Sequence, residues 1–180
     1  MPEPALVSQP DSAPESQAVT VCRLLPPDWQ VYRAIRLSML QESPSAFGST
    51  HDKAARFDER LWKERLTDNA VFLARVGQAS AGSAMYSVHG VTDPGDGALG
   101  GMWVDPDFRG AGVGGVLVGA VIAHARTAGK RRVVLHVVTG NAPAARLYER
   151  AGFVPTGHTV PYPHDAEVLE VEMALMLDVP

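Results

Sequence analysis

Glycines recur at every second position just after a short apolar segment near the middle of the chain. Gly110, Gly112 and Gly114 lie between an apolar stretch that ends at Val104 and a second apolar run at 116–118, an order that predicts a strand, a turn and a helix. Because glycine has no Cβ, successive backbone amides in such a turn can point at one anion at the helix N-terminus. This spacing therefore predicts a site for a phosphate group.

The same segment also fits a different phosphate-binding pattern. Gly110, Gly112 and Gly115 match the GxGxxG spacing of dinucleotide-binding folds. Such a fold expects a carboxylate about 20 residues later to hold a ribose, and a long run of parallel strand–helix units after the glycines. Residues 133–136 are Val, Val, Leu and His instead, and most of the chain precedes the turn. The sequence therefore disfavours a dinucleotide site.

Two ordered motifs point to another phosphate-containing ligand. Arg109, Gly112 and Gly114 form the pattern Arg-x-x-Gly-x-Gly, and residues 141–153 read NAPAARLYERAGF, with an asparagine, a Leu-Tyr pair and a Gly-Phe pair around one helix. Together they resemble the pyrophosphate signature and the second hallmark of the GNAT superfamily of acyl-CoA-dependent N-acyltransferases. The resemblance implies a mixed α/β fold with a central twisted mixed sheet of about six to seven strands and about four flanking helices. Within that sheet, a parallel pair of strands would splay around the acyl-CoA.

The resemblance also assigns coenzyme contacts along the two motifs. The turn amides and the helix dipole would hold the pyrophosphate of acetyl-CoA, Arg109 would add a charged or backbone contact, and the pantetheine arm would lie along the strand that ends at Val104. Asn141 resembles the asparagine that bonds this arm, although its place before Ala142 and Pro143 equally suits a helix cap. The implied contacts are Met102, Trp103, Val104, Arg109, Gly110, Ala111, Gly112, Val113, Gly114, Gly115, Asn141, Ala144 and Tyr148.

Tyr148 occupies the position of the superfamily's common tyrosine acid. A tyrosine of pKa about 10 can give a proton to a leaving thiolate of pKa about 8.5, whereas the alternative role is an aromatic packed in the core. The glutamate that well-known members place on or just before the central strand is absent, since residues 98–101 are Ala, Leu, Gly and Gly. Water, Glu170 or His136 then remains to accept the ammonium proton. His136 is the nominal choice because a neutral imidazole is available near neutral pH, the alternative being a strand histidine bonded to backbone or solvent.

Phe47 is the candidate contact for the acceptor. It lies in residues 43–50, SPSAFGST, which together with the preceding Arg36 resemble the segment that closes over the acceptor amine in many bacterial members. A loop aromatic can also pack on the core, and both roles are compatible. Loops vary within a fold, so a small-molecule amine, a peptide N-terminus and a protein lysine all remain open.

Hydrophobic periodicity predicts the elements that must position these residues. The crossover from the central strand through a helix to the next strand predicts a parallel pair. Residues 157–165 are expected to form a loop or a distorted hairpin. The predicted strands are 19–24, 71–76, 80–88, 98–104, 132–138 and 168–177, and the predicted helices are 28–41, 58–66, 112–127 and 142–151.

Composition predicts one domain over residues 19–180 and a disordered tail over residues 1–18, which are rich in Pro, Ser, Glu and Gln. The tail lacks the basic start and apolar core of a signal peptide, and no run approaches the ~20 apolar residues of a membrane span.

The single Cys22 allows no internal disulfide, suits a reducing cytoplasm and is expected to be a small core residue. A net charge of −4 gives a nucleic-acid partner no electrostatic support. No metal site is expected, and association through strand edges would give a homodimer.

The motifs together predict a cytoplasmic N-acetyltransferase that moves an acetyl group from acetyl-CoA to a primary amine. Direct attack in a ternary complex is expected, because the sequence offers no credible nucleophile for a covalent intermediate. One alternative is an acyl-CoA-binding sensor or assembly module with little turnover, which the missing glutamate favours. Another is a transferase that uses a longer acyl-CoA, which the motifs do not distinguish.

Overall fold

The computed structural model describes residues 18–163 and 165–178, so the predicted tail lies outside the described residues apart from Ala18. Within this part, one seven-stranded sheet has the order β1-β2-β3-β4-β5-β7-β6. Its strands are β1 (Val19–Leu24), β2 (Ala70–Val76), β3 (Ala79–Ser87), β4 (Asp96–Val104), β5 (Arg132–Val138), β6 (Val154–Tyr162) and β7 (Asp165–Met176). Its helices are α1 (Trp29–Glu42), α2 (His51–Ala55), α3 (Glu59–Asp68), α4 (Val113–Thr127) and α5 (Ala142–Arg150).

The sheet contains a parallel pair, β4 and β5, that opens along its length. The two strands pair over residues 96–98 and 132–134 and then diverge, although both continue in the same direction. At the closed end, Arg132 Nε donates to the buried Asp96 carboxylate at 3.1 Å. The expected mixed sheet with a splayed parallel pair is therefore confirmed, and the splay creates a cleft at the carboxyl ends of β4 and β5.

Both faces of the sheet are covered, and β2 shows how the alternation of its side chains produces this. Val71 and Leu73 pack with α1 and α3, whereas Ala70, Phe72 and Ala74 pack beneath α4 on the opposite face. Successive strand side chains point to opposite faces, so an entirely apolar strand needs helices on both. The core therefore consists of two clusters, one on each face of the sheet.

Helix boundaries follow the predictions with local differences. Asp58 caps α3 by accepting a hydrogen bond from the Leu61 amide at 2.8 Å. Asp28 precedes α1 as expected, but its carboxylate accepts from the Leu25 amide at 2.8 Å rather than from the helix. The five-residue α2, capped by Thr50, was not predicted because it is too short to display a helical period.

The predicted core position of Cys22 is wrong. Its thiol is exposed, because β1 is an edge strand and the neighbouring Val19 and Val21 are the residues that pack against the core. Burial on one face of a strand exposes the residues that alternate with it. Cys22 is therefore a surface thiol on an edge strand.

Of the loop or distorted hairpin predicted for residues 157–165, the structure has the hairpin, formed by β6, which was not predicted as a strand, and β7. Gly157 has a φ of +88°, and the register between β6 and β7 shifts between Pro155 and Thr159. Proline lacks an amide hydrogen, which confines it to edges and irregular places in a sheet, and β6 is an edge strand. Among the described residues, no helix combines the length and apolar character needed to cross a bilayer.

Candidate active site

A large cavity of about 800 Å³ lies where β4 separates from β5, beside the start of α4 and α5. Every predicted coenzyme contact except Ala111 lines this cavity, and Phe47 lines it as well. Lining residues from the predicted set are Met102, Trp103, Val104, Arg109, Gly110, Gly112, Val113, Gly114, Gly115, Asn141, Ala144 and Tyr148.

The glycine turn presents backbone amides to this cavity. Gly110 and Gly112 have φ values of +84° and +82°, a left-handed conformation that favours glycine. The Val116 amide donates back to the Gly112 carbonyl at 3.2 Å, so the amides of residues 113–115 precede the first amide that donates within the helix. A Cβ added at Gly112 or Gly115 would meet no atom within 4 Å. The turn is therefore an open cradle whose amides and helix dipole attract an anion.

The central strand β4 is irregular where it borders the cavity. Met85 of β3 pairs with Gly100 and Ser83 pairs with Trp103, so β4 carries one extra residue at a bulge. Gly101 within the bulge has a φ of +56°. The bulge and the separation from β5 leave main-chain groups of β4 available to an extended ligand.

Arg109 is held by the protein itself. Its guanidinium donates to the Glu42 carboxylate at 3.0 Å, and its Nε donates to the Val104 carbonyl at 3.1 Å. Glu42 also accepts from Trp103 Nε1 at 2.9 Å, and bonds from Ser43 and Trp103 lower the pKa of its carboxyl. Arg109 therefore joins the end of α1 to the end of β4, and its charge is balanced before any ligand arrives.

Tyr148 and Asn141 bring α5 to the same cavity. The Tyr148 ring is 6% exposed and packs edge-on against Phe153, with ring centres 6.0 Å apart. Burial raises the pKa of Tyr148 to about 12, and no hydrogen bond to its hydroxyl is formed within the described residues. Asn141 caps α5 by accepting from the Ala144 amide at 3.2 Å, which confirms the cap; its contact with the pantetheine arm stays a prediction.

A small cavity of about 250 Å³ lies on the other side of Phe47. Phe47 lines both cavities, and the Tyr162 hydroxyl donates to its carbonyl at 3.1 Å. A Cβ at Gly48 would lie 3.6 Å from Pro163, so the β6–β7 hairpin contacts the loop of residues 43–50. The loop of residues 43–50, expected to contact the acceptor, therefore packs against the β6–β7 hairpin beside this cavity.

The walls of the small cavity carry charged groups from several elements. His136 and Glu170, both considered as proton acceptors, line it together. Burial raises the pKa of the Glu170 carboxyl, and His136 partly opposes this change. His136 Nε2 lies 3.8 Å from a Glu172 oxygen, and Glu172 accepts from the Thr156 hydroxyl at 2.9 Å. Arg36 and Arg65 complete the charged lining.

Sequence patterns missed two of these functional positions. Glu42 neutralises Arg109 across 67 residues of sequence, and Arg65 reaches the small cavity from α3. Neither lies in a motif, since each acts through a contact that exists only after the chain folds. Arg36 precedes residues 43–50 in the sequence, but no local pattern indicates that its charge lines the small cavity.

The structure is that of a mixed α/β protein in which a glycine turn and two adjacent cavities lie beside a splayed parallel strand pair. The chain belongs to the acetyltransferase (GNAT) family, whose family model matches residues 36–153. Its similarity to the yncA protein of Salmonella typhimurium, solved with its cofactor acetyl-CoA, has a TM-score of 0.71 at 20% identity. That match covers 91% of this chain and 96% of the yncA chain and shows the shared fold.

Curated relatives include two mycothiol acetyltransferases. The protein from Thermobispora bispora is 30% identical over 152 residues, which are 82% of this chain and 50% of that protein. The protein from Geodermatophilus obscurus is 42% identical over 92 residues, which are 49% of this chain and 29% of that protein. This chain therefore spans half or less of the length of these relatives.

Proposed function

We propose that this protein is an N-acetyltransferase that transfers an acetyl group from acetyl-CoA to a primary amine in a ternary complex. The observation that carries the proposal is one continuous cavity bordered by the amide turn, the bulged edge of β4 and the buried hydroxyl of Tyr148. The name of the acetyl-CoA-bound yncA structure and the names of the mycothiol acetyltransferases support the same donor and reaction.

Each wall of the large cavity has a role in binding the donor. The amides of residues 113–115 bind the pyrophosphate, and the α4 dipole adds to this attraction. The free edge of β4 from Met102 to Val104 hydrogen-bonds the pantetheine arm as an added strand would. The bulge at Gly101, which lines the adjacent small cavity, presents a backbone amide to the thioester oxygen, where negative charge develops as the amine attacks.

Tyr148 supplies the proton that the departing sulfur needs. The amine nitrogen forms a bond to the thioester carbon, the carbon–sulfur bond breaks, and the thiolate takes the hydroxyl proton of Tyr148. A pKa of about 12 keeps this hydroxyl protonated throughout the physiological range. Burial in the same cavity also raises the pKa of a thiol. The pKa values of the proton donor, Tyr148, and of the departing sulfur that takes the proton therefore rise together.

Glu170 and His136 are placed to take the proton that the ammonium group loses. They line the small cavity from β7 and β5. Their side chains lie on the same face of the sheet, because His136 pairs with Glu172 and Val138 pairs with Glu170. We assign Glu170 as the group that accepts the proton from the ammonium, since its raised pKa makes it a stronger base than an ordinary carboxylate. His136, the nominal choice from the sequence, lies beside it and serves as the alternative base.

A pair of glycine variants tests the donor site. Gly115 and Gly119 lie on α4, and a Cβ at either position would meet nothing within 4 Å, but Gly115 alone of the two lines the large cavity. Gly115→Glu places a negative charge where the pyrophosphate binds, whereas Gly119→Glu places the same charge one helical turn away. We expect calorimetric titration with acetyl-CoA to show binding to the parent and to Gly119→Glu, with a loss of at least tenfold in Gly115→Glu.

The same proteins test turnover. Release of free coenzyme A thiol in the presence of a panel of primary amines supports the transferase. Binding of acetyl-CoA without amine-dependent thiol release would instead support an acyl-CoA-binding module. If the folded parent does not bind acetyl-CoA, the proposal is wrong.

A further inference from the structure

The small cavity holds two arginines that the protein does not neutralise. Arg36 and Arg65 both line it, yet neither forms an ion pair with a carboxylate within residues 18–163 and 165–178. Arg109, which borders the other cavity, has its charge matched by Glu42 at 3.0 Å. Partly buried cations without an anion are unfavourable, so this arrangement calls for an anion from outside the chain.

Contacts on both sides hold the Arg36 guanidinium in place. Its carbon lies 5.3 Å from the centre of the Phe47 ring, and its Nη1 lies 3.5 Å from the position that a Cβ at Gly101 would occupy. The hydrogen bond that Arg36 makes goes to the sulfur of Met39, a weak acceptor, at 3.5 Å. The guanidinium is therefore fixed beside the bulge of β4 with most of its donors uncommitted.

Arg65 reaches the same cavity from α3. Its guanidinium carbon lies 5.7 Å from the centre of the Phe57 ring, and its Nε is buried without a hydrogen-bond partner in the described residues. Burial lowers the pKa of Arg36, and the nearby charge of Arg65 lowers it further. Two close cations repel each other, and an anion bound between them offsets this repulsion.

We propose that the amine acceptor also carries a carboxylate, which Arg36 and Arg65 bind while Glu170 attracts the ammonium group. This inference rests on the proposed acetyl transfer and names the class of acceptor for it. A planar guanidinium binds a carboxylate through two parallel hydrogen bonds. The acceptor is then a small amino acid whose amine points toward the bulge and whose carboxylate points toward α1 and α3.

The size and charge of the cavity favour this class over the other open acceptors. Its volume of about 250 Å³ is below the ~300–1,000 Å³ of sites that hold drug-sized ligands, which favours a small free molecule over a folded protein's lysine. Glu170 on the same wall repels a doubly charged phosphate more strongly than a carboxylate. A net charge of −4 for the whole chain does not describe this cavity, where two cations face one partly buried carboxyl.

Matched substrates test the carboxylate directly. The purified full chain is assayed for thiol release from acetyl-CoA with a series of amino acids, the corresponding amino-acid amides and the corresponding decarboxylated amines. We expect kcat/KM to be about 10- to 100-fold higher for at least one amino acid than for its amide, as a charge-assisted hydrogen bond provides. Calorimetric titration of the protein saturated with coenzyme A, using the same compounds, provides a readout that needs no turnover.

Arginine variants then locate the effect. Arg36→Met retains an apolar side chain against Phe47 and should lower kcat/KM at least tenfold more for the amino acid than for the decarboxylated amine. Arg36→Lys should restore part of the preference, because it restores the charge but not the paired hydrogen bonds. Arg60→Met is the control, since that α3 arginine has a side chain that is 73% exposed and lies outside the small cavity.

The outcomes separate this inference from the proposed function. Equal or better turnover of the amides or decarboxylated amines, or an unchanged preference in Arg36→Met, overturns the carboxylate site and leaves the acetyltransferase intact. Acetyl-CoA binding without turnover of any amine overturns the transferase; the calorimetric preference for amino acids over amides then decides whether the anion site exists. Equal loss for all amines in Arg36→Met would show a structural role for Arg36 and contradict the inference.

Discussion

Tyr148 and Tyr86 are both buried tyrosines, but they differ in whether the side chain borders a cavity that can hold a ligand. Both rings are 6% exposed, and burial raises the pKa of both hydroxyls. The Tyr86 oxygen is buried and has no hydrogen-bond partner within the described residues, and its ring centre lies 4.8 Å from that of His124, away from either cavity. The Tyr148 side chain lines the large cavity instead. Of these two tyrosines, Tyr148 is therefore the one placed to donate a proton to a bound ligand.

The first prediction compares Tyr148→Phe with Tyr86→Phe. Each variant removes one hydroxyl that has no partner in the described residues and keeps its ring, so neither should lower the free energy of unfolding appreciably. Tyr148→Phe should lower kcat by about 10²- to 10⁴-fold, the usual contribution of a general acid, with little change in the dissociation constant for acetyl-CoA. Steady-state kinetics and calorimetry measure both quantities. Equal kcat values in the two variants would remove Tyr148 from the mechanism.

Glu170 contributes oppositely to stability and to catalysis. Burial raises its pKa in the folded protein, so the folded state binds its proton more tightly than the unfolded state does. Its effect on stability is most favourable below the ordinary carboxyl pKa, and this contribution is lost as the pH rises through the raised value. At neutral pH, ionised Glu170 can therefore act as a base, but its burial lowers the free energy of unfolding. Glu170 interacts electrostatically with His136 and Tyr162, Arg36 and Arg65 line the same cavity, and Glu172 lies 3.8 Å from His136.

The second prediction follows from this opposition. Glu170→Gln should lower kcat/KM by about 10²-fold or more, the contribution of a general base, while the melting temperature at neutral pH is unchanged or higher. In the parent, kcat/KM should fall as the pH drops through the raised pKa of Glu170, and this acidic limb should be absent from Glu170→Gln. His136→Gln is the matched comparison. Loss of the limb in His136→Gln alone would transfer the role of base to His136.

At the scale of elements, the opening between β4 and β5 depends on how little the two strands pair. They share three register pairs, and the Asp96–Arg132 contact secures that end. Asp96 is 4% exposed, so its carboxylate relies on Arg132 in place of water. The short paired region holds the strands together while leaving the rest of β4 free for the donor.

The third prediction is that Asp96→Asn destabilises the protein by about 3 kcal/mol, because it leaves the Arg132 charge without its partner at the closed end of the cleft. Glu64→Gln, which breaks the exposed Arg60–Glu64 pair on α3, should cost no more than about 0.5 kcal/mol. Urea unfolding of both variants measures the difference. Similar midpoints for the two would show that the Asp96–Arg132 contact does not secure the strands.

Elements and their order were predictable, because strands such as β5 and helices such as α4 carry their own periodicity and punctuation. The turn at residues 110–115 was predictable for the same reason, since left-handed glycines leave a local signature. Glu170 was a candidate from the sequence, but its meeting with Arg36 and Arg65 in one cavity was not predictable, because the three residues come from elements that meet only in the folded protein. Even the exposure of Cys22 depended on which face of β1 the rest of the chain covers.

At the scale of the whole molecule, the large cavity lies between two parts of the sheet. Strands β1–β4 form an antiparallel meander on one side of the cleft, and β5, β7 and β6 form the other side. The cavity is lined by β4 from the first part and by α5, which connects β5 to β6 in the second. A ligand bound there touches both parts at once, so it should stabilise them as a unit.

The fourth prediction is that acetyl-CoA raises the melting temperature of the chain. A ligand at 100 times its dissociation constant adds about 2.7 kcal/mol, which for a chain of this size corresponds to roughly 5–10 °C. Hydrogen exchange should slow on both sides of the cleft, at residues 102–104 of β4 and at the start of α5, because the donor bridges them. Gly115→Glu should show neither effect, and Gly119→Glu should show both. Protection confined to the turn would mean that the pyrophosphate binds without the arm reaching β4, which contradicts the donor position proposed for the thioester.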